Sequence, residues 1–146
     1  MKRFEFSLEK MLGYKNQVQS DEKQRLAEFR RKLDQLLDTL TRLREEYIYC
    51  NRELNEKVKS GLTPQQMFQR KAYLGSLNDR IKLQAQHVRL AQNRVSEQIS
   101  VVVKVSQDIS TLEKLREHQY EGYRLEESKE SQLLIEEFVS NSSFAQ

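Results

Sequence analysis

Lys59-Ser60-Gly61-Leu62-Thr63-Pro64-Gln65-Gln66 decides how this chain folds. Gly61 can take the positive φ of a helix C-terminal cap. Thr63 offers an N-cap hydroxyl, Pro64 suits the first helical position, and Gln66 stands where a capping box places Glu or Gln. One helix is therefore expected to end near 59 and another to start near 64, with a turn at 60–63. No other stretch interrupts so strongly, because the 146 residues hold one Pro and four Gly.

Upstream of the turn, apolar residues recur at Leu26, Phe29, Leu33, Leu36, Leu40, Leu43, Tyr47, Cys50 and Leu54. The steps alternate three and four without a break, which is a heptad seam. Downstream, the same alternation runs through Leu74, Leu77, Ile81, Gln84, Val88, Ala91, Val95, Gln98, Val102, Val105, Ile109 and Leu112. A short turn makes the helices antiparallel neighbours. Pairing the seams about position 62, inside the turn, sets Phe29 against Val95, Leu33 against Ala91, Leu36 against Val88, Leu43 against Ile81, Tyr47 against Leu77 and Cys50 against Leu74. A shift of one heptad would move the centre of pairing into helix. Turn and seams therefore agree, and such agreement between levels is evidence for a fold.

The expected fold is all-α: two long helices forming an antiparallel coiled-coil hairpin. It spans residues 1–139 as a single domain, with helix 1 over about 5–59, helix 2 over about 64–138 and a flexible tail at 140–146. Leu26, Phe29, Leu33, Leu36, Leu40, Leu43, Leu74, Ile81, Val88 and Val95 form the core of the seam. Gln84 and Gln98 lie within it and are expected to fix its register. Toward the open end, Lys15, Gln19 and Glu22 fall opposite Ile109, Val105 and Val102. The apolar residues of helix 1 slip there to Met11 and Val18, which predicts a stutter or local unwinding. Helix 2 should overhang helix 1, carrying Leu133, Leu134, Ile135, Phe138 and Val139.

Composition supports a helical object with a narrow buried stripe. Charged residues make up 32% and hydrophobic residues 37%, below the roughly 45–50% apolar content of ordinary globular domains. One Cys excludes an intramolecular disulfide framework and a Cys-x-x-Cys metal site. The longest aliphatic run is Val101-Val102-Val103, far short of the roughly 20 residues that span a bilayer. The opening MKRFEFSLEK has no apolar core and does not read as a secretory signal, so an intracellular protein is expected. Residues 1–73 carry 16 basic and 11 acidic residues, whereas 105–146 carry 4 and 9. That asymmetry argues against a nucleic-acid partner despite a pI near 9.0.

A two-helix coil offers no concave site, so neither an enzyme nor a small-molecule or cofactor binder is expected. His87 and His118 lack acidic or Cys partners at ligand spacing and read as solvated. Cys50, in the seam, reads as a small buried hydrophobe. Arg30-Arg31-Lys32 is either a solvated face or a contact for an acidic partner. Tyr73 lies beside the seam, where an aromatic ring can serve as a binding anchor.

The opening Phe4-x-Phe6-x-Leu8-Glu9-Lys10-x-Leu12, the Gly61-x-Thr63 turn and the following Tyr73-Leu74-x-x-Leu77 resemble the FliJ family of flagellar export proteins. The resemblance covers the whole chain. It implies a small antiparallel coiled coil of the flagellar type III export apparatus, similar in shape to the central stalk of rotary ATP synthases. It further implies engagement of the hexameric export ATPase FliI and the membrane export gate FlhA, and escort of other export chaperones. Such a protein is cytoplasmic and peripheral to the membrane at the flagellar base. The family's gate-binding positions map to Tyr73 and Leu77, although the register sets Leu77 in the seam. The ATPase-facing end maps to Phe4, Phe6 and Leu8 together with Leu133, Leu134 and Phe138. The alternatives are the equivalent stalk of a virulence type III system and a generic coiled-coil scaffold.

Overall fold

The computed structural model describes residues 2–144. Helix α1 runs Glu9–Ser60 and helix α2 runs Pro64–Phe144. They pack against each other as an antiparallel hairpin, and no strand is present among the described residues. The turn forms as its residues dictate. Gly61 has φ 102°, and its missing side chain is needed for that conformation alone, since a Cβ there would touch nothing within 4 Å. The Thr63 hydroxyl accepts from the Gln66 amide at 3.2 Å, and the Thr63 amide donates to the Gln66 side-chain carbonyl at 3.2 Å. This reciprocal pair is the capping box.

The contacts fall into two units. One comprises Glu22–Ser100; the other joins the chain up to Asp21 with the chain from Val101 onward. In the turn-containing unit the buried and half-buried positions follow the heptads. Leu26, Leu40, Leu54, Leu74, Leu77 and Val88 are buried; Phe29, Leu33, Leu36, Leu43, Ile81 and Val95 are half-buried. Leu77 is the most enclosed, at 0% exposure. The two seam glutamines report the register. Gln84 Nε2 donates to the Leu36 carbonyl at 3.0 Å, and Gln98 Nε2 donates to the Glu22 carbonyl at 3.0 Å. A helical carbonyl points along the axis toward residue i+4. These two acceptors therefore lie beside Leu40 and Leu26, the residues that pairing about position 62 sets opposite Gln84 and Gln98.

In the second unit Leu12, Val105, Ile109 and Leu112 form a buried cluster, with Leu8 and Val18 against it. The predicted stutter does not occur. Met11 is exposed, and Leu12, Lys15, Gln19 and Glu22 carry the heptad phase into Leu26 through continuous α-helix. The physical reason is polar pairing across the seam. Lys15 Nζ meets Asp108 Oδ2 at 3.1 Å, and Gln19 Nε2 donates to Ser106 Oγ at 3.0 Å. Each polar seam residue finds a partner beside the valine or isoleucine it faces, so the phase need not slip. Both ends of the Lys15–Asp108 pair are partly solvated, which limits its contribution to about 1 kcal/mol or less.

Two helix boundaries differ from the expectation. Helix α1 begins at Glu9, not near 5. Phe4 and Phe6, two apart, would point to different sides of a helix; outside it both turn inward, with Phe6 buried and Phe4 half-buried. Helix α2 continues through 139–144, where a tail was expected. Adding residues to an existing helix avoids the cost of nucleation, so even a Ser/Asn-rich segment can extend it. Residues 145 and 146 of the expected tail lie outside the described residues.

Leu77→Ala should destabilise by about 2–4 kcal/mol, since it empties the most enclosed site. Gly61→Ala should cost about 1–2 kcal/mol through backbone strain alone. Leu133→Ala, on an exposed turn of α2, should change stability by under about 0.5 kcal/mol. Urea unfolding followed by circular dichroism checks this order; a Leu133→Ala loss equal to that of Leu77→Ala would overturn the seam assignment.

Candidate binding surfaces

Two regions present large apolar side chains that no neighbour covers. The first lies in the turn-containing unit. Phe68 is 74% exposed and Tyr73 43% exposed, and Ile48 and Tyr49 are also exposed. Tyr73 projects from α2 one position before buried Leu74 and donates its hydroxyl hydrogen bond to Glu46 of α1. Donating that bond is the main cause that raises the Tyr73 pKa above the ordinary tyrosine value, with desolvation and the Glu46 charge adding to it. Tyr49 donates to Glu53 Oε1 at 2.9 Å, and its pKa is raised in the same way. The hydroxyls are thus occupied, and the ring faces are what these residues offer.

The second region is the α2 segment from Leu133 to Val139. Leu133, Leu134, Ile135, Phe138 and Val139 are 59–74% exposed. Phe4, Phe6 and Leu8, which the sequence groups with them, behave differently. Phe4 packs edge-on to Tyr120, with centroids 5.2 Å apart at 68°, and lies 5.5 Å from Tyr123. The Tyr123 hydroxyl donates to the Lys2 carbonyl at 2.6 Å, and partial burial, followed by Glu127, raises its pKa. Arg116 Nη1 approaches Glu9 Oε1 at 3.6 Å. The N-terminal segment therefore closes on Tyr120 and Tyr123, and the Leu133–Val139 cluster is left open.

A model of the family described as "Flagellar FliJ protein" matches residues 4–146. The chain belongs to this family. It is also similar to a flagellar FliJ protein of Bacillus subtilis (strain 168), 25% identical over 125 residues, which cover 86% of this chain and 82% of the relative. No solved structure matches the chain. Family membership makes it a flagellar export component.

Within this FliJ-family chain the structure separates the candidate residues by accessibility. Tyr73 is presented, whereas Leu77 is sealed in the seam. Leu133, Leu134 and Phe138 are presented, whereas Phe6 is buried and Phe4 and Leu8 are half-buried against their own unit. Sequence reasoning missed Phe68, although a Phe off the heptad phase is itself a signal. It also missed Leu83 and Leu90, exposed at 55% and 62% and seven residues apart on one helical face. Among the described residues no three His, Cys, Asp or Glu side chains are grouped to hold a metal ion, and no helix is long and apolar enough to cross a membrane. His87 and His118 are exposed, and Cys50 is half-buried.

Because the Glu46 carboxylate raises the Tyr73 pKa, Glu46→Gln should lower it toward the usual value of about 10. A raised tyrosine pKa stabilises the fold below the unfolded value, and that contribution is lost as pH rises through the folded value. The variant should therefore lose less stability than the parent as pH rises above about 10. A carbon-13 tyrosine NMR titration with Tyr73 assigned checks the direction; an unchanged or higher pKa would show that Glu46 is not the acceptor.

Proposed function

We propose that this chain acts without catalysis of its own, as a coiled-coil stalk and chaperone of the flagellar type III export apparatus. It connects the hexameric export ATPase FliI with the membrane export gate FlhA and also receives other export chaperones. It works at the cytoplasmic side of the membrane at the flagellar base, held there by its partners. The observation that supports this reading is the exposed apolar segment Leu133–Val139 of one unit, together with exposed Tyr73 in the turn-containing unit, in a fold whose seam is otherwise satisfied. Exposed apolar patches of this kind mark interaction sites.

In this reading Tyr73 meets the gate, and its ring is the anchor. Leu77 supports that surface from below, because it holds α2 against α1 under Tyr73. Leu133, Leu134 and Phe138 meet the ATPase. Phe4, Phe6 and Leu8 hold the N-terminal segment on α2, and their contribution to ATPase engagement is to stiffen the helix that carries the cluster.

The test is co-purification of FliI and FlhA with the tagged chain from flagellated cells, paired with swimming assays. Tyr73→Ala should weaken capture of the gate about tenfold or more and leave ATPase capture and melting unchanged. Tyr73→Phe keeps the ring and should retain most gate binding. Leu134→Glu with Phe138→Glu should have the reverse effect, losing the ATPase and keeping the gate. Normal capture of both partners and full motility by all three variants would overturn the site assignments, and recovery of neither partner by the parent chain would overturn the function.

A further inference from the structure

A groove opens in the turn-containing unit between Phe29, Lys32 and Leu36 of α1 and His87, Leu90, Ala91 and Arg94 of α2. Its volume of about 220 Å³ is small for a drug-sized ligand and suits one or two large side chains. Its origin lies in the seam. Ala91 is the smallest residue in that stretch of α2's seam, and it leaves the space between Phe29 and Leu36 unfilled. The floor is apolar, Leu90 stands 62% exposed at its edge, and the rim carries Lys32 and Arg94. Among the described residues neither cation makes an ion pair. Lys32 ends the Arg30-Arg31-Lys32 run, which the fold otherwise leaves without a role.

The complementary surface is on the same chain. The segment Leu133–Val139 is apolar and uncovered, and Glu126, Glu127, Glu136 and Glu137 accompany it. Leu134 and Phe138, four apart, share one helical face, so this segment has the form of a helix with two apolar anchors, flanked on one side by Glu126 and Glu137. Helices of that form dock by setting anchors at such spacing into an apolar groove.

We propose that the groove receives the 126–139 segment of α2 from a second copy of the chain. Leu134 and Phe138 seat over Phe29, Leu36 and Ala91, while Lys32 and Arg94 face Glu126 and Glu137. The contact is small and charge-assisted, the character of weak, transient association. Its consequence, which rests on the ATPase reading above, is that self-association occupies the residues assigned to ATPase engagement, so the two states exclude each other.

Sedimentation equilibrium of the full chain, from micromolar to millimolar, tests the proposal. In about 0.01 M salt the average mass should rise with concentration. In about 1 M salt, where the screening length falls from about 30 Å to about 3 Å, it should return toward the monomer. Lys32→Glu with Arg94→Glu should weaken association about tenfold or more, as should Glu126→Lys with Glu137→Lys. All four positions are exposed, so helix content should stay constant by circular dichroism. Mixing the two charge-reversed proteins should restore association. A parent chain that stays monomeric throughout, or an association that survives charge reversal, would overturn the proposal. So would a monomeric chain that binds an unrelated acidic amphipathic peptide as tightly as a synthetic 124–143 peptide, because the groove would then serve a different helix. The groove substitutions leave Tyr73 and the Leu133–Phe138 cluster intact, so FliI and FlhA capture by that variant reports separately on the functional reading.

Discussion

Everything in this molecule depends on the register between two antiparallel helices, and the register is fixed by a three-residue turn. Gly61 reverses the chain in a conformation other residues adopt only at a cost, and Thr63 with Gln66 starts the second helix at a defined residue. Neither helix could persist alone, because each buries only a stripe and most helical stability comes from packing that stripe. Once the turn sets which residue opposes which, the rest of the seam either fits or fails together. The polar seam residues enforce this choice. Gln84, Gln98, Gln19 and Lys15 each meet a partner on the opposite helix. Slipping one heptad would separate these groups from their partners and strand them near apolar surface, at about 1–3 kcal/mol for each group left unsatisfied and buried.

The same economy explains where binding surface remains. A two-helix seam is built chiefly from the a and d positions. Phe68, Leu83, Leu90 and Phe138, at other phases, stay exposed. Where the seam does need help, at its open end, Phe4 and Phe6 lie outside the helix, Phe4 against Tyr120 and Tyr123 and Phe6 buried. Beyond that closure α2 carries its apolar cluster with no partner from its own chain. The apolar residues outside the seam give this family member exposed surface at both units.

Electrostatics adds direction to that surface. The basic residues concentrate before residue 74, whereas the acidic ones dominate after 105. Opposite charge on two apolar surfaces of one chain favours their meeting between copies, and salt weakens the attraction. Sharing one patch between self-association and a partner would make availability of the partner-binding end depend on concentration and ionic strength.

The sequence by itself determined the two helices, the turn between them, the residues that line the seam and the register that joins them. It could do so because heptad periodicity and capping are local, and each residue's role follows from its spacing. Leu40, Leu74 and Val88 are buried for the reason their spacing states. Only the tertiary structure decided the fate of residues whose roles depend on what stands across from them. Lys15 and Gln19 read as a seam defect until Asp108 and Ser106 supplied their partners. Phe4 and Phe6 read as a presented motif, yet Phe4 packs on Tyr120 and Tyr123 and Phe6 is buried. Leu77 matched a binding position, yet it is the most enclosed side chain in the molecule. The groove over Ala91 was invisible for the same reason: a small residue in a seam becomes a cavity only when its neighbours on the opposite helix leave the space open.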